Sequence, residues 1–487
     1  MTNDRKDELF GHPKGLYVLF FAEMWERFSF YGMRALLVLY MTDAMKYSVQ
    51  TATGVYGAYT GFVYATPLVG GMLADRFLGY RRAIMIGGAL MALGHFAMAI
   101  ESPFYFYGAL GLIIAGNGFF KPNISTMVGT LYPDRDPRRD GAFTIFYMGI
   151  NIGAWGAPLL CGYLGERIGW HWGFSVAGVG MVFGLFVFVR WQSLFGEHGL
   201  PPRPAAWREP LILGIPKMWA LYLAVALFVP TAAYVVAQPG WVITGLPYIG
   251  GAFALYACFE GIRSKPGERS RVFVVLILIS FSVVFWACFE QAGSSMNLFT
   301  RDHIDRNILG WEVPTSWGQS INPWFIIILG IPFSLMWTWL SRVKMSPSSP
   351  LKFAMALLQV ALGFVAMVIA ARQAAASPDG TAHLGWLVLA YFLHTTGELC
   401  LSPVGLSMVT KLAPARLAGM LMGMWFLSNA FANVLAGWIA GLTGGEGTGS
   451  GDNYEPVFKG IIYFAAIGAG VLLLLVPFLK RMEKGAE

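Results

Sequence analysis

Residues Ala22 to Arg34, reading A-E-M-W-E-R-F-S-F-Y-G-M-R, place Glu23, Glu26, Arg27 and Arg34 inside an apolar stretch, Leu16 to Met41, long enough to cross a bilayer. A charge near the bilayer centre costs about 2.5–3.5 kcal/mol on insertion scales, so such groups persist where they pair, face water and do work. At about 100° per residue, Glu23, Glu26, Arg27, Tyr31 and Arg34 share one arc of roughly 140°. The remaining face, with Leu16, Val18, Leu19, Met24, Leu36, Leu37 and Val38, is apolar and suits either lipid or protein. A helix lying on the membrane surface is the bland alternative, and the unbroken apolar flanks argue against it. The segment is amphipathic within the membrane and requires a polar interior to look into.

The rest of the chain repeats the membrane signal. Only 13% of its 487 residues are charged and its mean hydropathy is +0.57, against about 25% charged residues in a soluble protein. Apolar runs give fourteen expected spans: 16–41, 53–75, 82–100, 104–131, 142–164, 171–191, 218–238, 241–262, 272–299, 317–341, 351–372, 384–411, 417–442 and 457–479. The net charge of +7 is not spread as a nucleic-acid surface would be. Counted by side, with residues at span ends taken with the adjoining connection, 25 Lys and Arg fall on the termini and even-numbered connections and six on the odd ones, with Arg27, Arg34 and Lys121 left deep inside spans. That bias places both termini in the cytoplasm. The polar first 15 residues lack the apolar region of a signal peptide, so the first span is expected to be retained.

The spans group as six, two and six. The first six end before a Pro-rich connection, the next two form a hairpin turned at Pro239-Gly240, and a basic connection, Arg263 to Arg271, leads into the last six. The expected fold is an all-α polytopic membrane protein with two six-helix bundles (residues 1–192 and 272–487) and an inserted linker and two-helix hairpin (193–271). Between spans two and three, the run from Gly70 to Arg82, G-G-M-L-A-D-R-F-L-G-Y-R-R, closely resembles the cytoplasmic loop motif of the major facilitator superfamily. Its glycines allow close helix approach, and Asp75 suits pairing with arginines or a helix N-terminus.

Three further charges lie deep in apolar runs. Lys121 precedes Pro122 in the fourth span, where a missing backbone donor is expected to expose carbonyls to a cavity. Glu290 opens the second bundle, with Trp286, Ser294 and Asn297 expected on its helical face. Glu398 stands in the twelfth span. Each has a plainer reading, a helix end displaced by a turn so that the group reaches the interface. Taken together, the intramembrane carboxylates and bases nearly balance. Arg34 and Lys121 come from the first bundle and Glu290 and Glu398 from the second, so pairs made and broken between them would couple occupancy to the open side.

Four runs carry a family resemblance: E-M-W-E-R-F-S-F-Y-G from Glu23 to Gly32, G-F-F-K-P-N-I-S from Gly118 to Ser125, F-Y-M-G-I-N-I-G from Phe146 to Gly153, and S-P-V-G-L-S from Ser402 to Ser407. They resemble the signatures of the proton-dependent oligopeptide transporters, a family of the major facilitator superfamily, and the central hairpin is similar to that of its prokaryotic members. Phe30 stands where a tyrosine is common. The resemblance implies a symporter that imports di- and tripeptides by alternating access, driven by the inward proton gradient, with no cofactor beyond the protons. It implies that Glu23, Glu26 and Arg27, with Glu290, couple protons. Arg34 and Lys121 would meet the peptide carboxylate, and Asn151, Asn322 and Glu398 its amino terminus. Tyr31, Tyr64, Trp286 and Trp425 would line side-chain pockets; for each aromatic by itself, core packing is the commoner role. Arg34–Glu290 and Lys121–Glu398 would be salt bridges of the gate.

A zwitterion with its charges one backbone length apart suits cations on one bundle and a carboxylate on the other, independently of the resemblance. Other functions fare worse. No Gly-x-x-x-x-Gly-Lys-Ser/Thr loop is present for an ATP-driven pump, and the seven histidines lack the spacing of a metal hydrolase, so an enzyme is not expected. The alternative that stays open is a proton-coupled carrier of another small anion or zwitterion, such as nitrate or a peptide-like drug. The expected setting is multi-pass in a bacterial inner membrane. The expected partners are peptide, protons and lipid, with no nucleic acid and no obligatory protein.

Overall fold

A computed structural model describes residues 8–133, 136–203, 209–210, 214–414, 416–444 and 453–484. Among them the chain is helical nearly throughout: α1 (Lys14–Asp43), α2 (Val49–Ala65), α3 (Pro67–Leu73), α4 (Tyr80–Met98), α5 (Pro103–Thr130), α6 (Arg139–Arg167), α7 (Trp170–Arg190), α8 (Lys217–Val236), α9 (Pro239–Arg263), α10 (Pro266–Phe289), α11 (Ser295–His303), α12 (Ile321–Arg342), α13 (Ser349–Ala376), α14 (Leu384–Leu412), α15 (Ala418–Gly441) and α16 (Tyr454–Lys484). Among the described residues, eleven helical segments are by themselves long and apolar enough to cross a membrane; α1, α2–α3 and α4 fill the other three expected spans. Arg5, Lys6, Arg135 and Arg208, counted for the charge bias, lie outside the described residues.

Two expected spans depart from a regular helix. The span at 53–75 loses a backbone bond at Pro67, though Thr66 before it keeps helical dihedrals (φ −65°, ψ −27°), and it ends in a π-helical turn, Ala74–Leu78. Proline has no N–H to donate and its ring crowds the turn behind it. The span at 272–299 leaves the α-helix at Glu290, passes through a 3-10 turn, Glu290–Gly293, and restarts at Ser295. Ser294, at φ −130° and ψ −98°, is not helical. The continuous face expected to align Trp286 and Glu290 with Ser294 and Asn297 is therefore interrupted. Gln291 holds the break, donating 3.1 Å bonds to the carbonyls of Ala287 and Ala436, while Ser295 Oγ donates to its Oε1.

Contacts divide the chain into two compact units. The first holds residues 1–37 and 62–238, the second 38–61 and 239–487. In the first, the face of α1 expected to meet lipid or protein meets protein: Leu16, Leu19, Leu36 and Leu37 are fully buried. Small residues let its neighbours close in. A Cβ on Gly153 of α6 would stand 2.2 Å from the Met24 carbonyl, and one on Gly149 would stand 2.9 Å from the Phe20 ring, which is a small-xxx-small seam between α6 and α1. Pro122 does not interrupt α5, which runs through it. The carbonyl it frees, that of Gly118, faces α3 and not a cavity, for a Cβ on Gly70 would come within 1.9 Å of it. Asn123 Nδ2 bridges the same crossing, donating to Phe119 O at 2.7 Å and Gly70 O at 3.4 Å.

The loop motif is pinned on one side. Gly79 turns with φ +72° beneath Pro201, and Arg81 donates to the carbonyls of His198 and Gly196 while lying over the Phe195 ring. Asp75 takes a hydrogen bond from Tyr80, whose hydroxyl is held above its usual range first by burial and then by that bond.

In the second unit, α2 packs on α15 at a crossing of two glycines. A Cβ on Gly57 would lie 3.0 Å from Gly437 Cα, and one on Gly437 2.5 Å from the Thr53 carbonyl. Beside it Arg301 of α11 binds Thr42 at 2.8 Å and Asp43 at the end of α1. The hairpin helices have different seats. In the first unit α8 rests on α5, where Gly111 approaches the Val229 carbonyl, whereas in the second α9 rests on α10 and α15. Pro239 opens α9, as its fixed φ and missing N–H allow at a first helical position.

Candidate functional site

Three of the four charges between Ala22 and Arg34 form a buried cluster in the first unit. Glu23, Glu26 and Arg27 are 1%, 0% and 3% exposed. Arg27 grips Glu26 with Nε and with Nη2, the latter at 2.6 Å, and its Nε lies 3.4 Å from Glu23 Oε1 one turn back. The remaining face of the guanidinium covers the Phe30 ring, 5.2 Å from its centroid. Asn117 of α5 adds an amide, donating to Glu26 Oε1 at 3.5 Å. Opposite sign, bidentate geometry and a neutral donor offset much of the cost of three charges in a membrane interior, while Glu23 Oε2 is buried without a hydrogen-bond partner among the described residues.

Two more cations of this unit, Arg34 and Lys121, each lie over a tyrosine. Arg34 stands 5.7 Å from the Tyr31 centroid and Lys121 Nζ 4.6 Å from that of Tyr64. Both tyrosines, expected to line side-chain pockets, thus present their ring faces to the cations, an arrangement that favours positive charge in a low-dielectric setting. Lys121 lies well inside α5 and Glu398 at the middle of α14, so neither is a displaced helix end. Asn151, 5% exposed, donates its amide to Tyr147 O at 2.9 Å, so that its oxygen remains an acceptor.

In the second unit Asn322 of α12 donates to both Glu398 Oε2 and Thr395 Oγ1 at 3.0 Å. Two residues assigned to one end of a ligand are thus brought together within hydrogen-bonding distance. Glu290 is 4% exposed and begins the 3-10 turn. Trp286, one turn earlier, packs edge-on against Phe285 and Phe289, and its indole N–H has no hydrogen-bond partner among the described residues. Trp425, 4% exposed, lies across Gly405, whose Cβ would meet the indole at 2.0 Å, and against Phe353. Gly405 belongs to the run Ser402–Ser407; the side chains of Pro403, Val404, Leu406 and Ser407 lie outside the described residues.

Sequence reasoning missed Asn117, Thr395 and Gln291. The first two were legible: Asn117 is four residues before Lys121 and Thr395 three before Glu398, so each shares a helical face with a charge already singled out. Gln291 acts through the break in α10, which no periodicity announces.

Three comparisons bear on this arrangement. The model of the POT family matches residues 81–449. The peptide transporter YePEPT of Yersinia enterocolitica is 38% identical over 98% of this chain and 96% of its own, and the dipeptide and tripeptide permease B of the same species is 31% identical over 97% and 96%. A crystal structure of a peptide transporter POT in complex with sulfate is 37% identical with a TM-score of 0.85, covering 99% of each chain. A POT family transporter in complex with 5-aminolevulinic acid is 30% identical, covering 97% of this chain and 98% of its own, with a TM-score of 0.84.

Proposed function

Because this chain belongs to the POT family and shares its major facilitator fold, we propose that it imports di- and tripeptides together with protons by alternating access. It does so as a carrier and not as an enzyme, across a bacterial cytoplasmic membrane with both termini inside. The observation that carries this reading is the closed triad of Glu23, Glu26 and Arg27, completed by Asn117 and buried in the membrane interior. A structural ion pair needs one carboxylate for one guanidinium. The second carboxylate gives the triad a site that accepts a proton without leaving Arg27 unpaired.

Arg34 and Lys121 take the peptide carboxylate in this reading, and Glu398, with Asn322 and Asn151, takes its ammonium. Asn322 supports that role by fixing the Glu398 carboxylate through a 3.0 Å bond, so the anion is oriented before a ligand arrives. Tyr31, Tyr64, Trp286 and Trp425 supply side-chain pockets, and Arg34–Glu290 and Lys121–Glu398 act as exchange pairs during the cycle. The division into bundles 1–192 and 272–487 about a hairpin segment 193–271 belongs to the same proposal.

Reconstitution into liposomes tests it. Dialanine accumulation is expected with an inward proton gradient and not without one, and Glu26→Gln and Lys121→Ala are each expected to abolish accumulation. No gradient-stimulated uptake across a panel of di- and tripeptides overturns the function. Full concentrative uptake by either variant overturns that residue's role.

A further inference from the structure

Between α9, α10 and α15 of the second unit lies a cavity of about 670 Å³, inside the range of about 300–1,000 Å³ that small-molecule ligands occupy. Its walls are Leu246, Phe253, Ile277, Phe431, Leu435 and Trp438 among others. The two hydroxyls that line it are spent on their own helices, Ser280 donating to Leu276 O at 3.1 Å and Ser428 to Trp425 O at 2.7 Å. Nothing along these walls asks for a polar ligand. The lining runs along α9 from Ile243 to Cys258, roughly 22 Å at 1.5 Å per residue, which exceeds the ~15 Å depth of one leaflet's hydrocarbon. Most of α9 itself faces outward, only 11% of its apolar window being buried.

One end of this apolar slot is basic. Past Cys258, α9 ends at Arg263, about 7 Å further along the axis. Lys265, Arg269 and Arg271 follow within the turn and first residues of α10, ahead of Phe273, which lines the cavity. Arg416 joins them, donating to Glu260 at 3.0 Å and to Ser264 Oγ at 2.6 Å. Five bases there face two carboxylates, Glu260 and Glu268. An apolar slot of leaflet length with an excess of positive charge at one mouth matches one chemistry, a long acyl chain carrying an anionic headgroup.

We propose that this cavity is a binding site for an anionic phospholipid of the surrounding bilayer. One acyl chain lies between α9 and the α10–α15 pair, and the phosphate meets the basic connection from Arg263 to Arg271. The lipid then fills the space that α9 alone leaves open. The site is separate from the residues assigned to peptide and protons, so its test does not depend on them.

The test uses the full chain in nanodiscs made from equal parts of phosphatidylethanolamine and phosphatidylglycerol, with lipid retained after detergent extraction counted by native mass spectrometry. Wild type is expected to keep phosphatidylglycerol several-fold over phosphatidylethanolamine. Gly251 lines the cavity and a Cβ there meets nothing within 4 Å, so Gly251→Trp puts an indole into the slot and is expected to remove the retained lipid. Ala254→Leu, a smaller filling of the same slot, is expected to lower retention and serves if the tryptophan variant does not fold. Arg263→Ala with Arg269→Ala is expected to keep a lipid but lose the preference. Equal retention of the two lipids by wild type, or retention unchanged in both filled variants, overturns the proposal.

Discussion

The crossing of α2 and α15 yields the most quantitative prediction. A Cβ on Gly437 would meet three backbone atoms, Thr53 O at 2.5 Å, Gly57 Cα at 2.8 Å and Gly57 N at 3.1 Å. None of these turns aside as a side chain would. Ordinary contact begins near 3.4 Å, so Gly437→Ala requires the helices to part by nearly an ångström, and overpacking of this kind costs about 1–3 kcal/mol. If α2 and α15 separate during the cycle, only the state that contains the crossing bears that cost. The equilibrium then shifts toward the separated state by a factor of about 5–150. The assay is the rate at which a membrane-impermeant maleimide, added outside, labels Thr60→Cys, a position one turn further along α2 and 1% exposed, with the chain lacking that cysteine as background. Gly437→Ala is expected to raise the rate at least several-fold. Gly441→Ala is the internal control: its Cβ meets only side-chain atoms of Thr53 and Gln50, at 3.3 and 3.5 Å, besides the Gln50 Cα at 3.6 Å, so it is expected to leave the rate near that of the parent. A lowered melting temperature in Gly437→Ala with an unchanged labelling rate would refute the argument, because the crossing would then persist in every state.

Two further predictions concern polar partners. Asn322→Ala removes the donor to Glu398 and Thr395; a hydrogen bond to a charged group is worth about 1.5–3 kcal/mol, so the KM for dialanine should rise about tenfold or more, and an unchanged KM would remove Asn322 from recognition. Outside the membrane, Arg138 ties the segment Glu8–Pro13 to the α5–α6 connection through Glu8, Gly11 O and Asp136, and its hydrogen bonds hold Asp136 below the usual carboxylate range. A carboxylate depressed in the folded state contributes above its unfolded pKa and loses that contribution as pH falls through the folded one, so the tie is complete at neutral pH: Arg138→Gln should speed proteolysis near residue 10 at pH 7 while leaving the pH profile of uptake unchanged, and equal cleavage rates would show that the tie does not hold the segment.

The positions of the helices were legible because each apolar run has to satisfy its own backbone inside a bilayer, which leaves helix as the open-ended solution. The triad was legible for a similar reason: charges at i, i+3 and i+4 on a membrane helix have to find one another. Where two chains of argument met, the sequence was less informative. The carbonyl freed by Pro122 was expected to face a cavity, yet α3 closes on it through Gly70. That compensation comes from a residue more than 50 positions away. The face drawn through Glu290 failed because Gln291 finds a partner on α15, and a side chain leaving its own helix carries no periodic signature. Asn117 and Thr395 were within reach of the same face rule that found Lys121 and Glu398.

On the proposed reading, the buried triad also bears on a matter of counting. Two carboxylates and one guanidinium leave one excess negative charge among themselves, in a region that disfavours any, and Lys121 of the same unit is near enough to Glu23 to offset it. A ligand carboxylate that draws Lys121 away would leave that excess uncompensated, and one proton on the triad would restore neutrality. On that reading the triad offers room for a single proton. A transport cycle that moved two protons per peptide would have to find its second acceptor elsewhere among the intramembrane carboxylates.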